Sequence, residues 1–274
     1  MDTLFDYAFF RNALAGLAII SVASAIIGTY VVARRLVSIS GGVTHACFGG
    51  LGLGYFLGVN PIFMAAVAAV ASSLGVELMS TRGRVREDSA IAVVWAIGMA
   101  LGILFVFLTP GYVPELNSFL FGNVLTIGTS DLWAFSIFTL LLSIFFVAFY
   151  HKIIACAFDA DFAKVIHLPV GLINCVMTVM TAVCIVLTIR LVGIMLLMSM
   201  LSLPQMIAEM FSRRFSGILW RSIVISLVGC VGGLLLATVI DVPCSALIVL
   251  LLAALYIACA IFVPIIRRIK YSKN

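Results

Sequence analysis

Charged residues fall in short clusters along this chain, and the apolar runs between them are about 17 to 25 residues long. A helix of that length covers roughly 30 Å at 1.5 Å per residue, the thickness of a membrane's hydrocarbon layer. The repeated spacing therefore constrains the chain to an all-α, polytopic transmembrane bundle. Composition agrees: of 274 residues, 64% are hydrophobic and 10% charged, with a mean hydropathy of +1.29. That is far outside the usual balance of a soluble globular domain.

The first stretch, MDTLFDYAFFRNALAGLAIISVASAIIGTYVVARR, is acidic before its apolar run and basic after it. A cleavable signal peptide has the reverse order, so this one reads as a retained first span. Nine spans are expected within a range of eight to ten, at about 11–33, 42–58, 61–79, 89–108, 131–150, 171–190, 193–211, 217–238 and 244–265. With the N-terminus outside, 14 of the 16 Lys and Arg residues lie on the inner side, leaving Arg11 and Arg190 outside. The positive-inside rule thus places the N-terminus out and the C-terminus in the cytoplasm of a multi-pass inner-membrane protein. The formal net charge of +5 is topological and gives no reason to expect nucleic acid. Seven cysteines form no CxxC pair and mostly sit in apolar runs, where they read as small packing residues.

The whole chain, 1–274, reads as one transmembrane domain with two unusual connections. TPGYVPELNSFLFGNVLTIGTSDLW, between spans four and five, is too long for a tight loop and too short and polar for another span; a short outer helix at about 114–128 is expected. YHKIIACAFDADFAKVIHLPV, residues 150–170, mixes charges, aromatics and aliphatics before a proline, a pattern for short amphipathic helices flat on the cytoplasmic face. The sequence has no GxxxxGK[ST] phosphate loop and no HExxH, and a serine, histidine and carboxylate set is not evident, so transport fits better than catalysis.

Five stretches together resemble the membrane permease subunit of bacterial ABC importers for zinc, manganese or iron, the ZnuB-like group. They are VVARRLVSISGGVTHACFGGLGLGYFLGVNP, RGRVREDSAIAVVWAIGMALG, ELNSFLFGNVLTIGTSDLW, FDADFAKVIHLPV and RLVGIMLLMSMLSLPQMIAEM, in family order over nearly the whole chain. The resemblance implies a homodimeric permease with a central pathway and no ATPase motif of its own. It implies a separate cytoplasmic ATP-binding subunit, an extracytoplasmic metal-binding protein, and a transported divalent metal ion in place of any permanently bound cofactor. It further implies that a cytoplasmic segment at about 152–170 docks on the ATPase, with Phe158, Asp159, Asp161, Ala163, His167 and Pro169 as coupling residues. Three departures stand out. Gly41 replaces an aspartate common four residues before the histidine, Asn123 replaces an aspartate after LFG, and His167 stands where glycine usually precedes LPV.

The second span raises its own question, because SISGGVTHACFGGLGLGYFLG carries seven glycines and one ionisable side chain. On a helix Gly42, Ala46, Gly50, Gly54 and Gly58 form an i+4 ridge almost without side chains, suited to close approach of a neighbour. His45 lies on the adjoining stripe with Gly41 and Gly49, which leaves open space above and below its ring. Either a backbone or serine partner satisfies it in the core, or, as the resemblance implies, it faces the metal pathway. Cys47 is roughly 200° further round the helix and cannot share an ion with His45.

Other polar residues have plainer readings. Glu77 is expected as a solvated carboxylate at the inner interface, Asp241 as an outer cap or turn, and His151 and His167 as surface groups. Glu115, Asn123 and Asp131 are candidates for the outer mouth, with solvated turn positions as the alternative for the acids. Pro204 predicts a kink or break in span seven, lining the pathway or purely structural. The function expected is a divalent-metal ABC permease. The alternatives are a secondary metal carrier or channel, which lacks the midspan carboxylates it would need, and an ABC permease for a metal chelate. Loss of the carboxylate at position 41 leans the ion toward zinc or ferrous iron over manganese.

Overall fold

The computed structural model describes residues 7–81, 83, 85–110, 122 and 124–271, the last six as backbone. Every regular element among them is helical. Four long helices come first: α1 (Ala8–Ala33), α2 (Ser38–Leu57), α3 (Pro61–Thr81) and α4 (Glu87–Leu108). A 3-10 turn (Val124–Thr126) precedes α5 (Thr129–Ala148), and two short helices, α6 (Tyr150–Phe158) and α7 (Ala160–Val165), lead into α8 (Val170–Val192). Then come α9 (Ile194–Met200), α10 (Leu203–Phe211), α11 (Phe215–Ile240) and α12 (Cys244–Tyr271).

Eight helical stretches among the described residues are long and apolar enough to cross a membrane: α1, α3, α4, α5, α8, α9 with α10, α11 and α12. At 20 residues α2 is long enough as well, but its glycines and His45 dilute its hydropathy. Burial sorts the spans into layers. α1 is largely enclosed, with α5, α8, α10 and α11 packed around it, whereas α4 and α12 turn most of their apolar side chains outward. That outward surface is what lipid or a partner helix covers. α2 lies between α3 and α4, and α3 joins this trio to α8.

The seventh predicted span is two helices. The chain bends at Leu201 and Ser202, and buried Pro204 occupies the first turn of α10, where its missing N–H leaves no bond unmade. Gly28 of α1 makes room for this break, since a Cβ there would lie 2.8 Å from the Leu201 carbonyl oxygen. Gln205, fully buried, staples the break to α1: its Nε2 donates to the Ser24 carbonyl at 3.0 Å and to the Met200 carbonyl at 3.1 Å. A second interruption, at Gly193 with φ 83°, separates α8 from α9 in a conformation that glycine adopts without strain.

Ion pairs tie the helix ends. Arg34, just past α1, reaches Glu87 Oε1 of α4 at 3.2 Å and Glu77 Oε2 of α3 at 3.7 Å, and donates to Tyr30 Oη at 3.1 Å. Burial opposes its charge, but Tyr30, Glu77 and Glu87 together outweigh that, so its pKa is raised. Glu77 is thus a paired, half-buried carboxylate and not the solvated one expected, because the guanidinium of α1 folds over it. At the other end Arg190 Nη2 of α8 lies 2.7 Å from Asp131 Oδ1 of α5. Asp131 is accordingly engaged within the chain. Asp241 caps α11 in a left-handed conformation, φ 59°, as a cap residue would.

Candidate functional site

His45 lies on the eighth residue of α2, about 11 Å along the helix from its start. It is half-buried, and the space about its ring is not open. The Trp95 indole of α4 stacks on the imidazole with centroids 4.6 Å apart and planes 10° off parallel. Met99, one turn further along α4, brings its Sδ to 3.0 Å from His45 Nδ1. One turn back on α2, a Cβ at Gly41 would sit 2.9 Å from Met198 Cε of α9 and 3.5 Å from the Trp95 ring. Three helices therefore converge on the histidine.

The small residues of α2 serve two neighbours instead of forming one ridge. A Cβ at Gly42 would meet Ile91 Cγ2 of α4 at 2.6 Å, one at Gly49 the Gly98 carbonyl oxygen at 2.8 Å, and one at Gly52 the Gly102 carbonyl oxygen at 2.6 Å. Gly50 and Gly54 face α3, where a Cβ would meet the Met64 carbonyl oxygen at 2.5 Å and Pro61 Cα at 2.6 Å. Ala46 packs its backbone on Gly98. Gly58 does not belong to the ridge: it is exposed, has nothing within 4 Å of its would-be Cβ, and ends α2 with φ 67°. Glycine is needed there for its backbone. Gly98 and Gly102, which let α4 come this close, are visible in the sequence only as GMALG. Cys47 is buried on another side of α2, consistent with packing.

At the loop between α5 and α8, Asp159 caps α7 by accepting from the backbone N–H groups of Asp161 and Phe162 at 3.1 and 2.9 Å. Ala163 is fully buried and anchors α7, while Asp161 and Lys164 form a surface pair at 2.9 Å. Exposed instead are Phe158, Phe162, Val165 and Ile166, the last three absent from the sequence reading; Val165 is 74% exposed. An apolar surface of this kind, outside the spans, is what a docking partner would cover. His151, His167 and Pro169 are exposed. His167 sits at φ 59°, a left-handed position that explains why glycine suits it. Beside α6, a cavity of about 640 Å³ is lined by Arg34, Arg35, Phe158, Glu209, Arg213 and Phe215. Pro204 marks the α9–α10 break described above. Glu115 and Asn123, with most of the expected outer helix, lie outside the described residues.

The family model for the ABC 3 transport family matches residues 6–263. The chain belongs to that family. A Chlamydia pneumoniae protein named "Probable metal transport system membrane protein" is 36% identical to the permease over 244 residues, 87% of this chain and 83% of that one. The manganese transport system membrane protein MntC of Halalkalibacterium halodurans is 26% identical over 263 residues, 96% of this chain and 90% of that one. Among solved structures, PsaBC from Streptococcus pneumoniae in complex with Fab aligns with a TM-score of 0.84 at 22% identity, covering 100% of this chain and 98% of that one. At that identity the match speaks for the fold, which is that of an ABC permease. Membership makes the chain a permease subunit of an ABC transporter, distinct from the ATP-binding subunit of such systems.

Proposed function

We propose that the permease imports a divalent transition-metal ion as a homodimer, driven by ATP hydrolysis on a separate cytoplasmic subunit and supplied by an extracytoplasmic metal-binding protein. The N-terminus lies outside, α2 completes nine crossings, and α6 and α7 lie on the cytoplasmic side against the ATP-binding subunit. The observation that carries this reading is His45. An imidazole inside a span is costly unless it serves a pathway or finds a partner, and this one is half-exposed where α2, α4 and α9 meet. The relatives named for metal and manganese transport support the class of cargo. The bare apolar residues of α7 support docking, because nothing among the described residues covers them.

The test is reconstitution with and without the ATP-binding subunit. Proteoliposomes holding permease, ATP-binding subunit and binding protein should accumulate labelled metal only with ATP. Accumulation by the permease alone, driven by an ion gradient, would show a secondary carrier.

A further inference from the structure

The donors gathered around His45 differ in kind from those a manganese site needs. His45 Nδ1 and Met99 Sδ stand 3.0 Å apart. Zinc bound at about 2.1 Å to an imidazole nitrogen and at about 2.3 Å to sulfur, the thiolate distance, separates its two ligands by about 3.1 to 3.6 Å between right-angle and tetrahedral geometry, and a neutral thioether lies no closer. The observed pair is within a few tenths of an ångström of that span. Met198 supplies a second thioether side chain, its methyl end filling the space over Gly41 on the turn below the imidazole. The indole of Trp95 closes one face of the imidazole. Carboxylate donors are scarce here among the described residues. Of the acidic residues described, only Glu87 and Asp88 lie on the three helices concerned, both in the first turn of α4, where Arg34 and Ser38 engage them.

We infer that Met99 joins His45 as a ligand of the transit site, with Met198 packed over Gly41 where a carboxylate would stand, and that the two methionines make the site select zinc or ferrous iron over manganese. The inference rests on the pathway reading of His45 given above. Thioether sulfur is a soft donor, imidazole suits zinc and iron, and manganese prefers carboxylate, carbonyl and water oxygens. Where Gly41 withholds a carboxylate, the space is taken by the methyl end of Met198. A neutral ligand set leaves the ion's charge uncompensated, so occupancy is brief, as conduction requires.

The test measures zinc and manganese uptake in competition by the full reconstituted complex. Three variants are compared, Met99→Leu, Met198→Leu and their double, which keep volume and apolarity, together with His45→Ala. Wild type should prefer zinc, and the double variant should lose the zinc-over-manganese ratio by about tenfold or more, the size of effect that ligand-shell changes produce. Its melting temperature should be unchanged, because leucine keeps the volume and apolarity of methionine. Gly41→Asp combined with Met198→Ala should raise manganese uptake. If the double variant keeps the wild-type ratio while His45→Ala abolishes uptake, the pathway stands and the part given to the two methionines is refuted. If His45→Ala transports normally, the pathway reading itself fails. A wild-type complex that carries manganese as well as zinc also overturns the selectivity.

Discussion

Gly50→Ala tests the packing of α2 most sharply, because the new methyl group has nowhere to go. Its Cβ would lie 2.5 Å from the Met64 carbonyl oxygen, 2.6 Å from Ala68 Cβ and 2.9 Å from Ala65 Cα. All three are backbone or Cβ atoms, so no rotamer change relieves them, and α2 must move away from α3 by several tenths of an ångström. Overpacking of this kind costs about 1 to 3 kcal/mol. Replacing glycine in a helix returns about 0.5 to 1 kcal/mol. The balance is a destabilisation of up to about 2.5 kcal/mol, centred on about 1 kcal/mol, a fall in melting temperature of a few degrees, roughly 2 to 5 °C. Gly75→Ala on α3 is the internal control, since nothing lies within 4 Å of its Cβ and only the helix-propensity gain applies. Thermal unfolding in detergent should therefore move the two variants in opposite directions. Equal melting temperatures would refute the close-packing account of the α2 glycines.

Three further outcomes are expected. His167→Gly relieves a left-handed backbone and should leave stability equal or raise it by about 1 kcal/mol, whereas His167→Val should lower it, as melting curves would show. Val165→Asp, on the exposed face of α7, should abolish ATPase stimulation in the assembled transporter without changing the permease's melting temperature; normal stimulation would place the docking surface elsewhere. Arg34→Ala leaves Glu77 and Glu87 without their shared cation and should cost about 1 to 2 kcal/mol, discounted from a fully buried pair because both carboxylates are partly exposed. Glu77→Gln in that background should recover part of the loss.

The spans were legible because apolar length and charge placement are local properties of the chain. The break in the seventh span was legible for the same reason, with Pro204 announcing it in sequence. The surroundings of His45 were not. Trp95 and Met99 lie about 50 residues along the chain and Met198 about 150, and the helical period says which stripe a residue joins but not which helix faces it. The i+4 pattern likewise grouped Gly58 with the packing glycines, although its role is to end the helix. Glu77 read as solvated because its partner, Arg34, belongs to another helix end. At the loop, charge and proline marked the segment, while its apolar surface emerged only once α7 was seen to bury Ala163 and turn Phe162 and Val165 outward.

The central claim is that ions pass His45 under ATP control. The most direct measurement is ATP-dependent zinc accumulation by proteoliposomes holding the complete transporter, wild type beside His45→Ala, with melting curves of both permeases. The expected result is a His45→Ala permease that melts as wild type does and accumulates far less zinc for each ATP hydrolysed. A variant that melts much earlier while its folded fraction accumulates zinc at the wild-type rate would show that His45 only packs against Trp95 and Met99, and would contradict the account.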